Sequence, residues 1–254
     1  MAYFEHCGSR IYYERHGDGD PVLLLPGFAQ DGAELSSLRE SLVAGHYEVI
    51  AADLPGSGRS GPQPRVYTAT YYEDDARSLA ALLQHLALEP AHLVGFSDGG
   101  EVALMLAAAA PGVARSVATW GAAGRLSDPD GRLRAAMYDV VDRPIPPLQG
   151  YRDFLVATYG EANARAMTRS HVDAVGAIIA RGGDVGLAKA SDIACPVLLI
   201  AGEQDMFASP ALVSESAARI RDARMAVATG AGHDVHKARP DWLTQTLLAW
   251  LADH

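Results

Sequence analysis

Cysteine is nearly missing from this chain: Cys7 and Cys195 are the only two thiols in 254 residues. So sparse and so far apart, they offer neither a disulfide framework nor a metal-ligand spacing. They read as free thiols of a reducing compartment, which makes the cytoplasm the expected location. Positive charge is also in short supply. Lys and Arg total 21 against 31 Asp and Glu, a formal net charge of −10. That balance repels a phosphate backbone or an anionic membrane, so neither nucleic acid nor membrane is an expected partner. Long apolar runs are lacking too. The most apolar predicted helix, Val102 to Ala110, falls well short of the ~20 residues that a membrane span requires. Met1 to His6 has no basic stretch leading into an apolar core, so no secretory signal is expected. No internal repeat or low-complexity segment interrupts the chain. The 49% of hydrophobic residues supply a sizeable core for one α/β unit, expected as a monomer or small homo-oligomer.

Apolar runs bounded by turn residues set out the strands. Tyr3–His6 and Arg10–His16 read as a hairpin, followed by strands at Pro21–Leu25, Glu48–Asp53, His92–Phe96, Arg115–Gly121, Pro196–Gly202 and Met225–Thr229. Helices are predicted between them at Leu35–Val43, Glu101–Ala110, Ser209–Ile220 and Pro240–Leu251. Another follows a capping box formed by Thr70 and Glu73, with Ala76, Leu79, Ala80, Leu83 and Leu86 on one stripe. Strand–helix alternation of this kind specifies a mostly parallel sheet covered on both faces. The alternation stops from about 122 to 189, where only helical stretches occur: Gly131–Val141, Tyr151–Tyr159 and Glu161–Arg181. The expected organisation is a core over 1–121 and 190–254 with a helical lid, 122–189, inserted between its halves.

Gly95-Phe96-Ser97-Asp98-Gly99-Gly100 joins a buried strand to an Ala-rich helix. A serine between glycines at such a turn is the signature of a nucleophile elbow. The sharp turn strains the serine backbone, and the glycines leave room that side chains would fill. Nucleophilic catalysis also needs a base for the serine proton and a carboxylate to orient that base. Asp205 lies in the loop after the Pro196–Gly202 strand, and His233 in the glycine-flanked loop after the last strand. Glu203 and Asp128 are rival acids, and His236 is a rival base whose simpler role is to pack at a helix start. His6, His16, His46, His85, His92, His171 and His254 belong to no motif and read as surface or satisfied core residues. The loop Leu54-Pro55-Gly56-Ser57-Gly58-Arg59-Ser60 is glycine-rich but has no P-loop lysine, so it is no phosphate cradle.

Taken together, Pro26-Gly27-Phe28, Asp53 to Ser60, the Ser97 elbow, Gly202-Glu203-Gln204-Asp205 and Gly230-Ala231-Gly232-His233 resemble the α/β-hydrolases over essentially the whole chain. The resemblance implies a serine hydrolase with Ser97 as nucleophile, Asp205 as acid and His233 as base, and no metal or organic cofactor. It places the oxyanion-hole donors at the amides of Phe28 and Asp98. The commonest family pattern has His-Gly where this chain has Pro26-Gly27, but backbone donors do not depend on that histidine.

Pro26-Gly27, Ser97-Asp98-Gly99-Gly100 and Trp120-Gly121-Ala122 further resemble the valacyclovir hydrolase (biphenyl hydrolase-like) proteins, which cleave α-amino acid esters. That likeness implies that Asp98 faces the pocket and pairs with a substrate ammonium group, against its simpler role as a helix starter. Trp120 is expected to line the same cavity, where it would add a cation–π contact, or else to pack in the core. Asp31 would add negative potential in the oxyanion loop. Met137, Tyr138, Tyr151, Phe154 and Tyr159 are the lid residues expected to face the cavity or pack beneath it. The same fold also carries general carboxylesterases, lactonases, carbon–carbon bond hydrolases, perhydrolases and small-molecule receptors that do not turn over.

Overall fold

The apolar runs do assemble into one sheet. The computed structural model describes residues 2–128 and 130–254, and Pro129, within the expected lid, lies outside them. The strands are β1 (Ala2–His6), β2 (Ser9–His16), β3 (Asp20–Leu25), β4 (Tyr47–Ala52), β5 (Ala91–Phe96), β6 (Ala114–Trp120), β7 (Val197–Gly202) and β8 (Ala223–Ala228). Their order across the sheet is β1-β2-β4-β3-β5-β6-β7-β8. β1 and β2 form the hairpin and β2 meets β4 antiparallel; all other pairings are parallel. Every residue of β5 and β7 is buried, as parallel strands covered on both faces require.

Alternation along the strands divides the core in two. Leu23, Leu25, Leu93, Val117 and Leu199 point to the face covered by α2 (Tyr71–Leu86) and α3 (Asp98–Ala109). Val22, Leu24, Val94, Ala118, Trp120 and Ile200 point to the face covered by α1 (Ser36–Ala44) and by α9 (Pro240–Ala252). Helices α4 (Arg132–Tyr138), α5 (Gln149–Tyr159) and α6 (Glu161–Ala180) lie between β6 and β7. α7 (Pro210–Ala217) and the short α8 (Val235–Ala238) complete the chain.

Two local expectations fail. The Thr70 side chain does not bond a helix amide: its backbone, at φ −116° and ψ 13°, is not extended as a capping residue must be, and its hydroxyl turns to Asp74. Thr70 and Glu73 therefore form no capping box, although Glu73 and Asp74 still favour the positive helix start. Helix α3 begins at Asp98 rather than Glu101, because the elbow at Ser97 hands the chain directly to it.

Strand order positions the loops. The chain leaves β3 for β4 on one side and then returns to β5 on the other, so the carboxyl ends of β3 and β5 flank the point where the winding reverses. That crevice is where open α/β sheets bind ligands. Leu25 pairs with Gly95, which brings the loop after β3 beside the elbow after β5. Gly202 pairs with Ala228, which does the same for the loops after β7 and β8.

Candidate active site

The elbow is as tight as its glycines suggest. Ser97 sits at φ 51° and ψ −121°, a conformation that L residues hold only under constraint. A Cβ at Gly95 would lie 2.4 Å from the Gly99 carbonyl oxygen, and one at Gly99 would lie 2.4 Å from the Pro26 oxygen. The Ser97 amide donates to the Trp120 carbonyl at 2.9 Å, which ties the turn to the end of β6.

Ser97, Asp205 and His233 meet above this turn. The His233 Nε2 lies 3.0 Å from Ser97 Oγ, and its Nδ1 lies 2.9 Å from Asp205 Oδ2. The other carboxylate oxygen of Asp205 accepts the amides of Phe207 and Ala208 at 2.8 and 3.1 Å. Burial pushes the Asp205 carboxyl up, but the hydrogen bond and charge of His233, helped by the two amides, outweigh it and hold the group below its usual range. An ionised Asp205 fixes Nδ1–H as donor and leaves Nε2 to accept the Ser97 proton. Phe96 and Phe207, with ring centroids 5.1 and 4.9 Å from the imidazole, hold its plane. The rivals are engaged elsewhere. Glu203 accepts the Gly230 amide, and Asp128 accepts the Arg134 amide and side chain at the start of α4. His236 accepts the Trp120 indole N–H and donates to Glu34.

The loop after β3 is pinned from within and from above. Gln30 accepts the Gly27 amide through its side chain and donates its own amide back to the Gly27 carbonyl. The hydroxyls of Tyr151 and Tyr159, both on α5, donate to the carbonyls of Phe28 and Ala29 at 2.9 and 2.6 Å. The Asp98 amide opens α3 and so belongs to the donors that a helix leaves free at its N-terminus. Asp31 accepts the Ala33 amide in its own turn.

A cavity of about 900 Å³ opens over Ser97 and His233, lined also by Phe28, Asp98, Met137 and Phe154. The Asp98 carboxylate is not free in it. One oxygen accepts the Tyr72 hydroxyl at 2.9 Å; the other accepts His171 Nε2 at 2.9 Å and the Tyr71 hydroxyl at 3.2 Å. Burial pushes this carboxyl up as well, but the charge and hydrogen bond of His171, with the two hydroxyls, hold it below its usual range. Of the two roles expected of Trp120, core packing is the one the structure shows, and it does not line the cavity. Strand parity turns it, with Ala118, to the α1–α9 face, where it is fully buried, stacks on Phe96 at 5.6 Å and donates to His236. It can make no cation–π contact with a ligand there. Of the residues expected in a lid, Met137, Tyr151 and Phe154 line the cavity while Tyr138 and Tyr159 do not.

Sequence reasoning missed His171. Its signal was faint: Ala164, Thr168 and His171 lie along one face of α6, and a histidine among buried residues asks for a partner. Glu101 was missed too. It is fully buried against the cavity, and its two carboxylate oxygens accept the amides of Ala123 and Gly124. Burial, only partly offset by those amides, raises it to about 8.

Comparison with known proteins agrees with this fold. A model described as the alpha/beta hydrolase family matches residues 22–246. Serine hydrolase BPHL of Homo sapiens is 29% identical over 210 residues, spanning 78% of this chain and 68% of that protein. The magnesium-chelatase 30 kDa subunit of Rhodobacter capsulatus is 32% identical over 255 residues, spanning 92% and 87%. Among solved structures, the enol-lactonase from Burkholderia xenovorans LB400 superposes with a TM-score of 0.79 at 22% identity, covering 99% of this chain and 100% of that one. The chain is a hydrolytic enzyme of the alpha/beta hydrolase family.

Proposed function

We propose that the chain cleaves carboxylic esters through an acyl-enzyme formed on Ser97. The observation that carries this reading is the unbroken relay from Ser97 Oγ to His233 at 3.0 Å and from His233 to Asp205 at 2.9 Å. His233 Nε2 takes the hydroxyl proton as Ser97 Oγ attacks the ester carbonyl, and Asp205 stabilises the imidazolium that results. The amides of Phe28 and Asp98 hold the developing oxyanion. His233 then returns its proton to the leaving alcohol as the ester bond breaks. In the second half it removes a proton from water, which attacks the acyl-enzyme, and finally restores the Ser97 hydroxyl as the acid departs. The sequence of steps calls for no metal or organic cofactor. Residues 122–189 act as a lid, since their side chains furnish much of the cavity wall. The two unpaired thiols, Cys7 and Cys195, favour a cytoplasmic setting.

The relative named as a serine hydrolase supports hydrolysis that depends on a serine. The test is turnover of a p-nitrophenyl ester by wild type and Ser97→Ala. Wild type is expected to show a burst of nitrophenol followed by steady release, and the variant to lose about 10³-fold or more of kcat. Binding with no Ser97-dependent turnover would mark the chain as a receptor instead. Preference for α-amino esters, implied by the biphenyl hydrolase-like resemblance, requires an Asp98 carboxylate available to the substrate, which the pairing with His171 opposes.

A further inference from the structure

We propose that His171 is a specificity-determining residue: it occupies the position beside Asp98 that a cationic substrate needs, so the site takes esters whose acyl group is uncharged and apolar. The proposal rests on the ester-hydrolase reading and names the substrate class of that same site.

Asp98 follows the nucleophile directly, so its side chain stands within reach of substituents near the scissile carbonyl. Left alone, a buried carboxylate there would draw an ammonium group. It is not left alone. The imidazole of His171 is clamped in place: Nε2 meets Asp98 at 2.9 Å and Tyr71 at 3.0 Å, Phe28 stacks on its face at 3.9 Å, and Tyr67 meets it edge-on at 5.2 Å. Tyr71 and Tyr72 complete the shell around the carboxylate. An incoming ammonium would have to displace a partner that three aromatic residues and a helix hold, and would leave that partner's own donor unmet.

The other acidic groups on the cavity wall are answered in the same way. Asp128 is paired with Arg134, Glu34 with His236 and Lys237, Asp234 with the same Lys237 at 3.6 Å, and Glu101 with two backbone amides. With its carboxylates matched locally, the wall offers a ligand mainly apolar contact, from residues such as Met137, Leu148, Phe154, Val175, Ile179 and Phe207. A neutral acyl group loses little on entering such a cavity; a charged one sheds its water and finds no open partner.

The experiment compares kcat/KM for the benzyl ester of phenylalanine with that for its deaminated analogue, benzyl hydrocinnamate, below the pKa of the amine. Wild type should favour the uncharged ester. His171→Leu should shift the ratio toward the ammonium ester by about tenfold or more, because the unmasked carboxylate gains a cation in a water-poor site. Adding Asp98→Asn to that variant should erase the shift. His171→Gln keeps a donor but loses the ring that Phe28 stacks on, so the carboxylate's partner is no longer clamped and the ratio should move the same way; it replaces the leucine variant if thermal melting shows that one to be unfolded. Because the readout is a ratio within one protein, a general loss of activity cancels. A wild-type preference for the ammonium ester that Asp98→Asn alone removes would overturn the proposal, as would an unchanged ratio in folded His171 variants. Cleavage that survives Ser97→Ala would instead strike the hydrolase reading beneath it.

Discussion

At Ser97 the strain of a positive φ is held by contacts on every side: glycine neighbours, the Trp120 carbonyl and the His233 ring. Ser97, Asp205 and His233, which the fold brings within hydrogen-bond reach of one another, could be picked out in the sequence as candidates because each stands in a short motif whose glycines and strand ends announce it. His171 was not legible. Its partner lies 73 residues away, and no local pattern links helix α6 to an elbow aspartate. Trp120 can be placed at a strand end from the sequence, but its face is decided by strand parity, which sets it with Ala118 on the α1–α9 side. Glu101 yields a pH test at this same scale. Its folded pKa, about 8, is raised from 4.5 by burial. Over that window the native chain keeps a proton that the unfolded chain has released, so this group's contribution to stability is fullest below about 4.5 and is lost as pH rises through about 8. Glu101→Gln should flatten the fall in thermal midpoint between those pH values. An unchanged slope in the variant would show that the carboxyl is not the source.

Among the elements, α5 reaches furthest into the chemistry. Tyr151 and Tyr159 stand eight residues apart on one helix and grip consecutive carbonyls of the β3 loop. Helical spacing in the sequence could mark the two tyrosines as inward-facing; it could not reveal that their hydroxyls, rather than their rings, make the connection. Tyr151→Phe keeps the ring and removes only the donor to Phe28. The loop should then hold its oxyanion amide less well in the transition state, lowering kcat by about tenfold with KM little altered. A kcat within about twofold of wild type would show that the loop is fixed without this hydroxyl. The failed capping box at Thr70 carries the complementary lesson. A motif of the right letters forms only where the backbone preceding the helix is extended, and here it is not.

Across the whole molecule, function follows from the order of strands. The alternation of apolar runs and helices was enough to specify a mostly parallel sheet, and the register then sets loops from distant parts of the chain side by side. The proposed nucleophile, acid and base arrive from β5, β7 and β8, and the proposed oxyanion loop from β3. The space above them is shaped by helices inserted between β6 and β7, whose packing depends on long-range contacts that periodicity does not carry. The claim on which everything turns is that Ser97 is made nucleophilic by His233. Labelling with a p-nitrophenyl phosphonate tests it most directly, with intact mass and peptide mapping as readout. The expected result is a single adduct on Ser97 that forms rapidly in wild type and at least about 10²-fold more slowly in His233→Ala. An adduct on another residue, or equal labelling rates with and without the imidazole, would contradict the account.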